Sequence, residues 1–554
     1  KRGLENITAF VRLLGYVRHF HPSDEAAATD WDVFTVEAMR VVEAAKNASE
    51  LAKTLESLFR PIAPTVKIYL TGKRMKLPDE PGEQSSKIIS WRHVGYGHKR
   101  SQNFGYGSER VSADAPTGVI SKDAPDPRQP FTADLGGGIS CVVPLALYTD
   151  ANGTLPRRTS APLAPSLYKF SAKDRTTRLA AVAQAWNVLQ HFYPYFDVVQ
   201  TDWKRALAET LLSAATDSDE LTFLRTMKRM LAQLKDGHGF VGHLSRVPSH
   251  TLPVVFAWIE NQVVVTSVAP EGAEGLQPGD IVLKIDDKPI LTALAEEEAL
   301  VSSATPQWKR YTAVTNLRVG TKDSESKLEV LDAAGKTRAV ALRRTIPRNA
   351  LTERQTEKIA EIRPGIFYVD LDRATKEDFQ NALPKLAAAK GIVFDIRGYP
   401  KVPFEFMTHL TDKPLLPPRF LRPIITKPDR TAMTFPAASD YALPPSLPRL
   451  MAKMAFITDG RAISYAESVL GIVENYKIAE IVGETTAGTN GNINPFDVLG
   501  NYRIVWTGMK VLKHDGSPHH GVGIKPTVPV SRTIQGVREK RDEQLEKAIS
   551  VVRQ

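Results

Sequence analysis

Hydrophobic positions along the chain follow three rhythms, and each marks a different kind of element. Near the N-terminus, and again where Val182, Trp186 and Leu189 recur every three or four positions, the spacing predicts amphipathic helices. Both helical stretches run into the same HF-x-P break, where proline ends a helix. Between them, Lys87 to Tyr148 alternates in strand fashion with many glycines and aromatics. From Thr251 to Thr345, short β-branched runs surround the turn GLQPGD. From Arg363 onward, GIFYVDLD, GIVFDIRG, MAFITDG, IAEIVGE and YRIVWTGMKVL read as strands, and LPKLAAA, SYAESVLGIVEN and REKRDEQLEKAIS as helices. That alternation predicts an α/β layer architecture.

The two helical stretches are a repeat. His19, Phe20, Pro22, Thr29, Asp30 and Trp31 fall on His191, Phe192, Pro194, Thr201, Asp202 and Trp203, each 172 positions further on. The copies diverge at their ends: LFRPIAPTVKIYL closes the first and LKDGHGFVGHL the second, so His238 stands between glycines where the first copy has Val66. A histidine gained in a glycine turn is free to approach another segment and is a general-base candidate; the plainer alternative is a turn histidine bonded to backbone. His19 and His191 read as residues that cap and pack a helix end rather than as ligands, because no partner recurs at ligand spacing.

These rhythms divide the chain into five expected units: a helical module (1–86), a β-rich domain ending in proline-rich segments (87–170), a second helical module (171–250), a small β unit (251–346) and an α/β unit (347–554). Within the last, Phe456 to Gly491 places Ser464 where a strand turns into a helix, beside the free N–H groups of the first helical turn. That position suits a nucleophile. It equally suits a cap, since Ser464 and Glu467 form the SxxE capping-box pattern.

Composition narrows the classes. A 42% hydrophobic and 24% charged chain of 554 residues is an ordinary soluble globular protein of several domains. The net charge of +10 is spread among interleaved acids, with no basic run interleaved with aromatics, so nucleic-acid binding is not supported. Cys141 is the only cysteine, which excludes an intramolecular disulfide and a cysteine metal cluster. No apolar run reaches the length needed to cross a bilayer. The sequence begins at Lys1 without a methionine or a signal-type apolar region, and a leader removed or lying outside this sequence is the expectation. His514, His519 and His520, with His238 and His243, raise a metallohydrolase as a further alternative, but neither HExxH nor a compact ligand set is present.

GLQPGDIVLKIDD looks like the core of a PDZ domain, a fold that takes an extended peptide as an added strand. Followed by GIVFDIRG, ITDGRAISYAE, IVGETTAG and HHGVGIKPTVPV, it resembles the tail-specific, or C-terminal processing, serine peptidases, over roughly residues 175 to 552. The resemblance implies a crotonase/ClpP-like β-β-α catalytic core, no cofactor or metal, a peptide or unfolded protein tail as partner, and an extracytoplasmic location. It puts Ser464 on the nucleophile, His238 on the general base, and Gly398 and the Tyr465 N–H on the oxyanion donors. Members with a Ser–Lys dyad carry the lysine where this chain has Thr489, so the histidine-using, tricorn-like variant fits better. That variant has a serine where this chain has Gly237 and an acid where it has His520; its DLRGNPGG is DIRGYPKV here. Glu484, His520 or Asp236 is then the expected orienting partner of His238. A peptide-binding protein with the same fold and little turnover is the alternative function.

Overall fold

The computed structural model describes the chain apart from residues 74–85, 98–104, 116–124, 158–169, 246, 274, 349, 439–440 and 554. The proline-rich linker expected before the second helical copy lies largely outside the described residues.

The repeat is structural. Helices Arg2–Phe20, Trp31–Val42 and Ala48–Phe59 reappear as Arg175–Phe192, Trp203–Thr216 and Glu220–Ala232. Their caps keep the 172-residue offset: Asp30 and Asp202 cap one pair, Asn47 and Asp219 the next, each side chain accepting backbone N–H groups of the first turn. Each copy then contributes a strand, Lys67–Leu70 or Phe240–His243, to the edge of a three-stranded antiparallel sheet. The first sheet is completed by Phe131–Gly136 and Ile139–Val143, the second by Ile493–Val498 and Tyr502–Thr507. In register, Ile68 pairs with Cys141 and its counterpart Phe240 with Val505, so Val143 and Thr507 are equivalent positions.

Two expectations change here. YRIVWTGMKVL is two strands, Tyr502–Thr507 and Lys510–Leu512, and neither joins the main sheet. The break comes at Thr507, whose backbone N–H is taken by Asp236, and at Gly508, whose N–H bonds to Asn492. The boundaries at 86 and 170 likewise do not separate cores. Phe10, Leu14 and Phe34 of the first copy, Trp186, Phe192 and Phe223 of the second, and Tyr502 and Trp506 form one buried cluster. The cause is helix Arg175–Phe192, which is buried around nearly its whole circumference and therefore needs neighbours on every side. His19 and His191 sit in that cluster with ring centroids 6.0 Å apart, and burial pushes the His191 pKa down to about 3.

Residues 254–343 form a five-stranded antiparallel path, Val254–Ile259, Gln262–Val268, Ile281–Ile285, Glu325–Leu331 and Thr337–Arg343. Helices Ile290–Glu298 and Pro306–Leu317 accompany it, the second packed along the edge strand Val254–Ile259.

The α/β unit is a six-stranded sheet in the order Ile359–Arg363, Ile366–Asp370, Gly391–Asp395, Lys453–Thr458, Glu480–Gly483, Val528–Pro529, parallel except for the first pair. Its central strands are covered on both faces, which is why they read as unbroken apolar runs. Ile392, Phe394 and Phe456 pack toward helices Lys376–Ala387 and Tyr465–Tyr476. The alternate residues Val393, Ala455 and Ile457 pack under helix Glu543–Arg553. That last helix starts later than the sequence suggests, because Lys540 adopts φ 56° and separates it from the short helix Ile534–Arg538. Among the described residues no helix is long and apolar enough to cross a membrane.

Phe394, fully buried between the sheet and the two-helix face, tests this layer. Phe394→Ala should lower unfolding stability by about 3–5 kcal/mol, read as a lower denaturation midpoint of the α/β unit.

Candidate active site

Ser464 is the residue before helix Tyr465–Tyr476 and adopts φ 59°, ψ −110°. A non-glycine residue with that backbone is strained, and strain of this kind persists only where surrounding bonds hold it. The bonds come from two directions. The Ser464 N–H donates to the Thr489 carbonyl at 2.9 Å and lies 3.3 Å from Glu467 Oε2. Glu467 is completely buried and also accepts from the Thr489 N–H (2.9 Å), the Gly488 N–H (2.7 Å) and the Thr486 hydroxyl (2.5 Å), with His519 Nε2 3.3 Å away. Glu467 therefore caps its helix, as SxxE suggests, and also ties the serine turn to the 486–489 loop.

Thr489 carries the link onward. Its hydroxyl accepts the Gly237 N–H at 3.1 Å, so one residue holds the Ser464 turn with its carbonyl and the His238 turn with its side chain. This explains two departures noted in the sequence together. A Cβ at position 237 would lie 2.6 Å from Thr489 Oγ1, so a serine cannot occupy 237 while threonine occupies 489. The segment before the base is braced further by Ser302, whose hydroxyl accepts the Asp236 N–H (3.0 Å), and by Trp308, whose ring N–H donates to the Gly237 carbonyl (3.0 Å). Thr305 and Gln307 bond the 486–487 carbonyls from the same side.

His238 is fixed by a relay that the sequence reading only half found. Asp236, completely buried, accepts the His238 N–H (3.0 Å), the Thr507 N–H (2.6 Å) and the Thr507 hydroxyl (2.6 Å). His238 Nδ1 lies 2.9 Å from that same hydroxyl. Thr507 has one hydroxyl proton, and the carboxylate can only accept it, so the hydroxyl oxygen must accept a proton from Nδ1. His238 is thereby held as the Nδ1–H tautomer, with the Nε2 lone pair free; among the described residues Nε2 makes no hydrogen bond. Burial lowers the His238 pKa below its usual value, opposed by the nearby charges of Asp236 and Glu467. At the equivalent positions the first copy has Pro64, Val66 and Val143, none of which can form such a relay. Thr507 could have been found from the sequence only by extending the repeat to its hairpin.

The other expected residues fall out differently. Glu484 is placed with Asp459, Ser531 and Arg532 rather than at His238, and burial raises its pKa. His520 stacks on Tyr195 at 4.1 Å and donates Nε2–H to the Lys235 carbonyl, so it braces the base-bearing turn without touching His238. Neither orients the imidazole; Asp236 does so through Thr507. The remaining histidines have separate partners: His514 the Leu416 carbonyl, His519 Glu467, His243 the Tyr502 ring. Gly398 is glycine because a Cβ would lie 2.6 Å from Asp372 Oδ2, but its N–H is bonded to the Ile396 carbonyl at 2.9 Å and is not a free donor. The Tyr465 N–H has no acceptor among the described residues. The Ser464 hydroxyl is not hydrogen-bonded to His238; the Tyr399 hydroxyl is close enough to interact with it.

The fold is thus an α/β sheet carrying a strained serine at a helix N-terminus beside a tautomer-fixed histidine, the equipment of a serine hydrolase. Residues 407–530 match the family model of peptidase family S41. That match, confined to the α/β unit, supports a serine-type peptidase of the tail-specific kind. No curated protein matches the sequence. Among solved structures, mature CPAF is similar at 13% identity and TM-score 0.56, covering 68% of this chain and 96% of that one; its complex with lactacystin gives 13%, 0.55, 68% and 97%. The photosystem II D1 C-terminal processing protease matches at 17% identity and TM-score 0.42, covering 68% and 97%. At 13% identity the likeness to mature CPAF is one of fold.

The strain at Ser464 is measurable. Ser464→Gly should stabilise the protein by about 1 kcal/mol, because glycine adopts this backbone without penalty. A denaturation midpoint equal to or below wild type would contradict a strained serine.

Proposed function

We propose that the chain hydrolyses peptide bonds through an acyl-enzyme on Ser464, with His238 as general base. The observation that carries this reading is the Asp236–Thr507–His238 relay, which leaves the Nε2 lone pair free on a turn that Thr489 ties to that of Ser464. In the first step Nε2 takes the Ser464 hydroxyl proton as Oγ adds to the substrate carbonyl. The imidazolium that forms shares its Nδ1 proton with Thr507, and the Asp236 carboxylate opposes the new charge one hydroxyl away. The Tyr465 N–H, at the positive end of its helix, faces the developing oxyanion. Rotation of the Gly398 peptide away from Ile396 supplies the second donor. His238 Nε2–H then protonates the leaving amine, the C–N bond breaks, and water activated by the same nitrogen releases the acid.

The 254–343 unit serves as the PDZ-like substrate holder. Its edge strand Val254–Ile259 lies along helix Pro306–Leu317, a groove that accepts an extended peptide tail as an added strand. The N-terminal turn of that helix holds Gln307 and Trp308, which bond the catalytic loops directly. A second reading, peptide capture with little turnover, is favoured by two features: the Gly398 N–H is engaged, and among the described residues no bond joins Ser464 to His238.

Three measurements separate these. Wild type should hydrolyse unfolded protein and be labelled on Ser464 by a fluorophosphonate, and Ser464→Ala should lose both, a drop of several orders of magnitude in rate. Labelling absent from wild type that still binds peptide would establish the capture reading. As the base must be neutral, kcat/KM should rise with pH through an apparent pKa below 6.5, the direction in which burial moves His238. Thr507→Val should lower kcat by about 10²-fold or more by releasing the tautomer, while Thr507→Ser should restore most of it; equal activity of Thr507→Val and wild type would exclude the relay.

A further inference from the structure

Next to the nucleophile the surface carries an arrangement that the chemistry of peptide hydrolysis does not use. Tyr399 is 54% exposed and its ring centroid lies 6.0 Å from that of Tyr465, the residue after Ser464. Phe404 packs edge-on against the opposite side of Tyr465 at 5.0 Å. Glu405 follows Phe404 on the turn Phe404–His409 that packs against Tyr465, and its charge, with the 55% exposed Tyr441, adds to the burial that raises the Tyr465 pKa. Glu405 is exposed and, among the described residues, has no ion-pair partner.

The exposed rings of Tyr399 and Tyr441 offer aromatic faces to a group arriving at the serine turn, and the neighbouring carboxylate says what kind of group suits them. Aromatic faces attract a cation through their quadrupole, and an unpaired carboxylate adds direct charge complementarity. A neutral aliphatic side chain would cover the rings but leave Glu405 unanswered, and an acidic one would be repelled by it. In DIRGYPKV, Tyr399 stands where the family pattern DLRGNPGG has asparagine, so an aromatic face replaces a small amide directly after Gly398.

We infer that Tyr399, Tyr441, Tyr465 and Glu405 form a specificity subsite for a cationic substrate side chain, arginine or lysine, flanking the scissile bond. This rests on the peptidase reading above. The guanidinium or ammonium group lies over the Tyr399 and Tyr465 faces with Glu405 as counter-ion, and its alkyl stem covers the exposed rings. Tyr399 then has two roles: it meets the Ser464 hydroxyl in the free protein and turns its face to the incoming side chain when substrate arrives.

The test uses fluorogenic peptides that differ at a single residue flanking the cleavage point: arginine, its uncharged isostere citrulline, or norleucine. Wild type should cleave the arginine peptide with a kcat/KM about tenfold above citrulline, the scale of a cation–π contact reinforced by a carboxylate. In Glu405→Gln that ratio should fall toward one, and in Glu405→Lys it should fall below one; Tyr399→Leu should lower it as well. Equal cleavage of the three peptides by wild type, with Ser464 still labelled by fluorophosphonate, would overturn the subsite and leave the peptidase reading standing. A tenfold ratio unchanged in Glu405→Gln would also overturn it. Absence of both cleavage and labelling would overturn the subsite together with the reading it rests on.

Discussion

A single buried carboxylate sets the geometry on which the site depends. Glu467 has no exposed surface, and an unpaired charge there would cost several kcal/mol, so the chain must bring donors to it. It does so by folding the 486–489 loop over the first turn of the Ser464 helix, with the Gly488 and Thr489 N–H groups and the Thr486 hydroxyl as donors. Once that loop is fixed, the Thr489 carbonyl is where the Ser464 N–H needs it, and the strained serine backbone is held. The Thr489 hydroxyl then reaches the Gly237 N–H and sets the distance between the two catalytic turns. Remove the demand for donors at Glu467 and each later position loses its anchor.

A second buried carboxylate works the same way on the other side. Asp236 is satisfied by three donors, two of them from Thr507, and the proton count around the Thr507 hydroxyl decides which imidazole nitrogen is free. An acid bonded directly to the imidazole would do this more simply. Here a hydroxyl stands between, and the position from which the family resemblance supplies an acid holds His520, which instead supports the Lys235 carbonyl and stacks on Tyr195. The orienting function has moved from one loop to another, and the 502–507 strand carries it.

That relocation is intelligible from the repeat. Both copies end in a strand at the edge of a three-stranded sheet, but in the second the rest of that sheet arrives only after the small β unit and five of the six strands of the α/β sheet. His238 and its relay therefore sit on a scaffold that also exists without them, in the first copy, where Val66 and Val143 hold the equivalent places. The first copy holds apolar residues at these places and the second the relay, and the shared aromatic core joins them.

The sequence by itself determined the repeat, the alternation that builds the parallel sheet, the serine turn at 464 and the glycine-flanked histidine turn at 238. These are legible because they depend on local rules: helical and strand periodicity, caps three residues from their acceptors, a serine at a strand-to-helix turn. Thr507, the choice of Asp236 over Glu484 and His520, the bridging role of Thr489 and the engaged N–H of Gly398 were decided only in three dimensions. Asp236 and Thr507 meet across 271 positions, and Gly237 and Thr489 across 252. No periodicity or spacing reports such contacts, because what selects them is the need of a buried carboxylate for donors, wherever in the chain those donors lie.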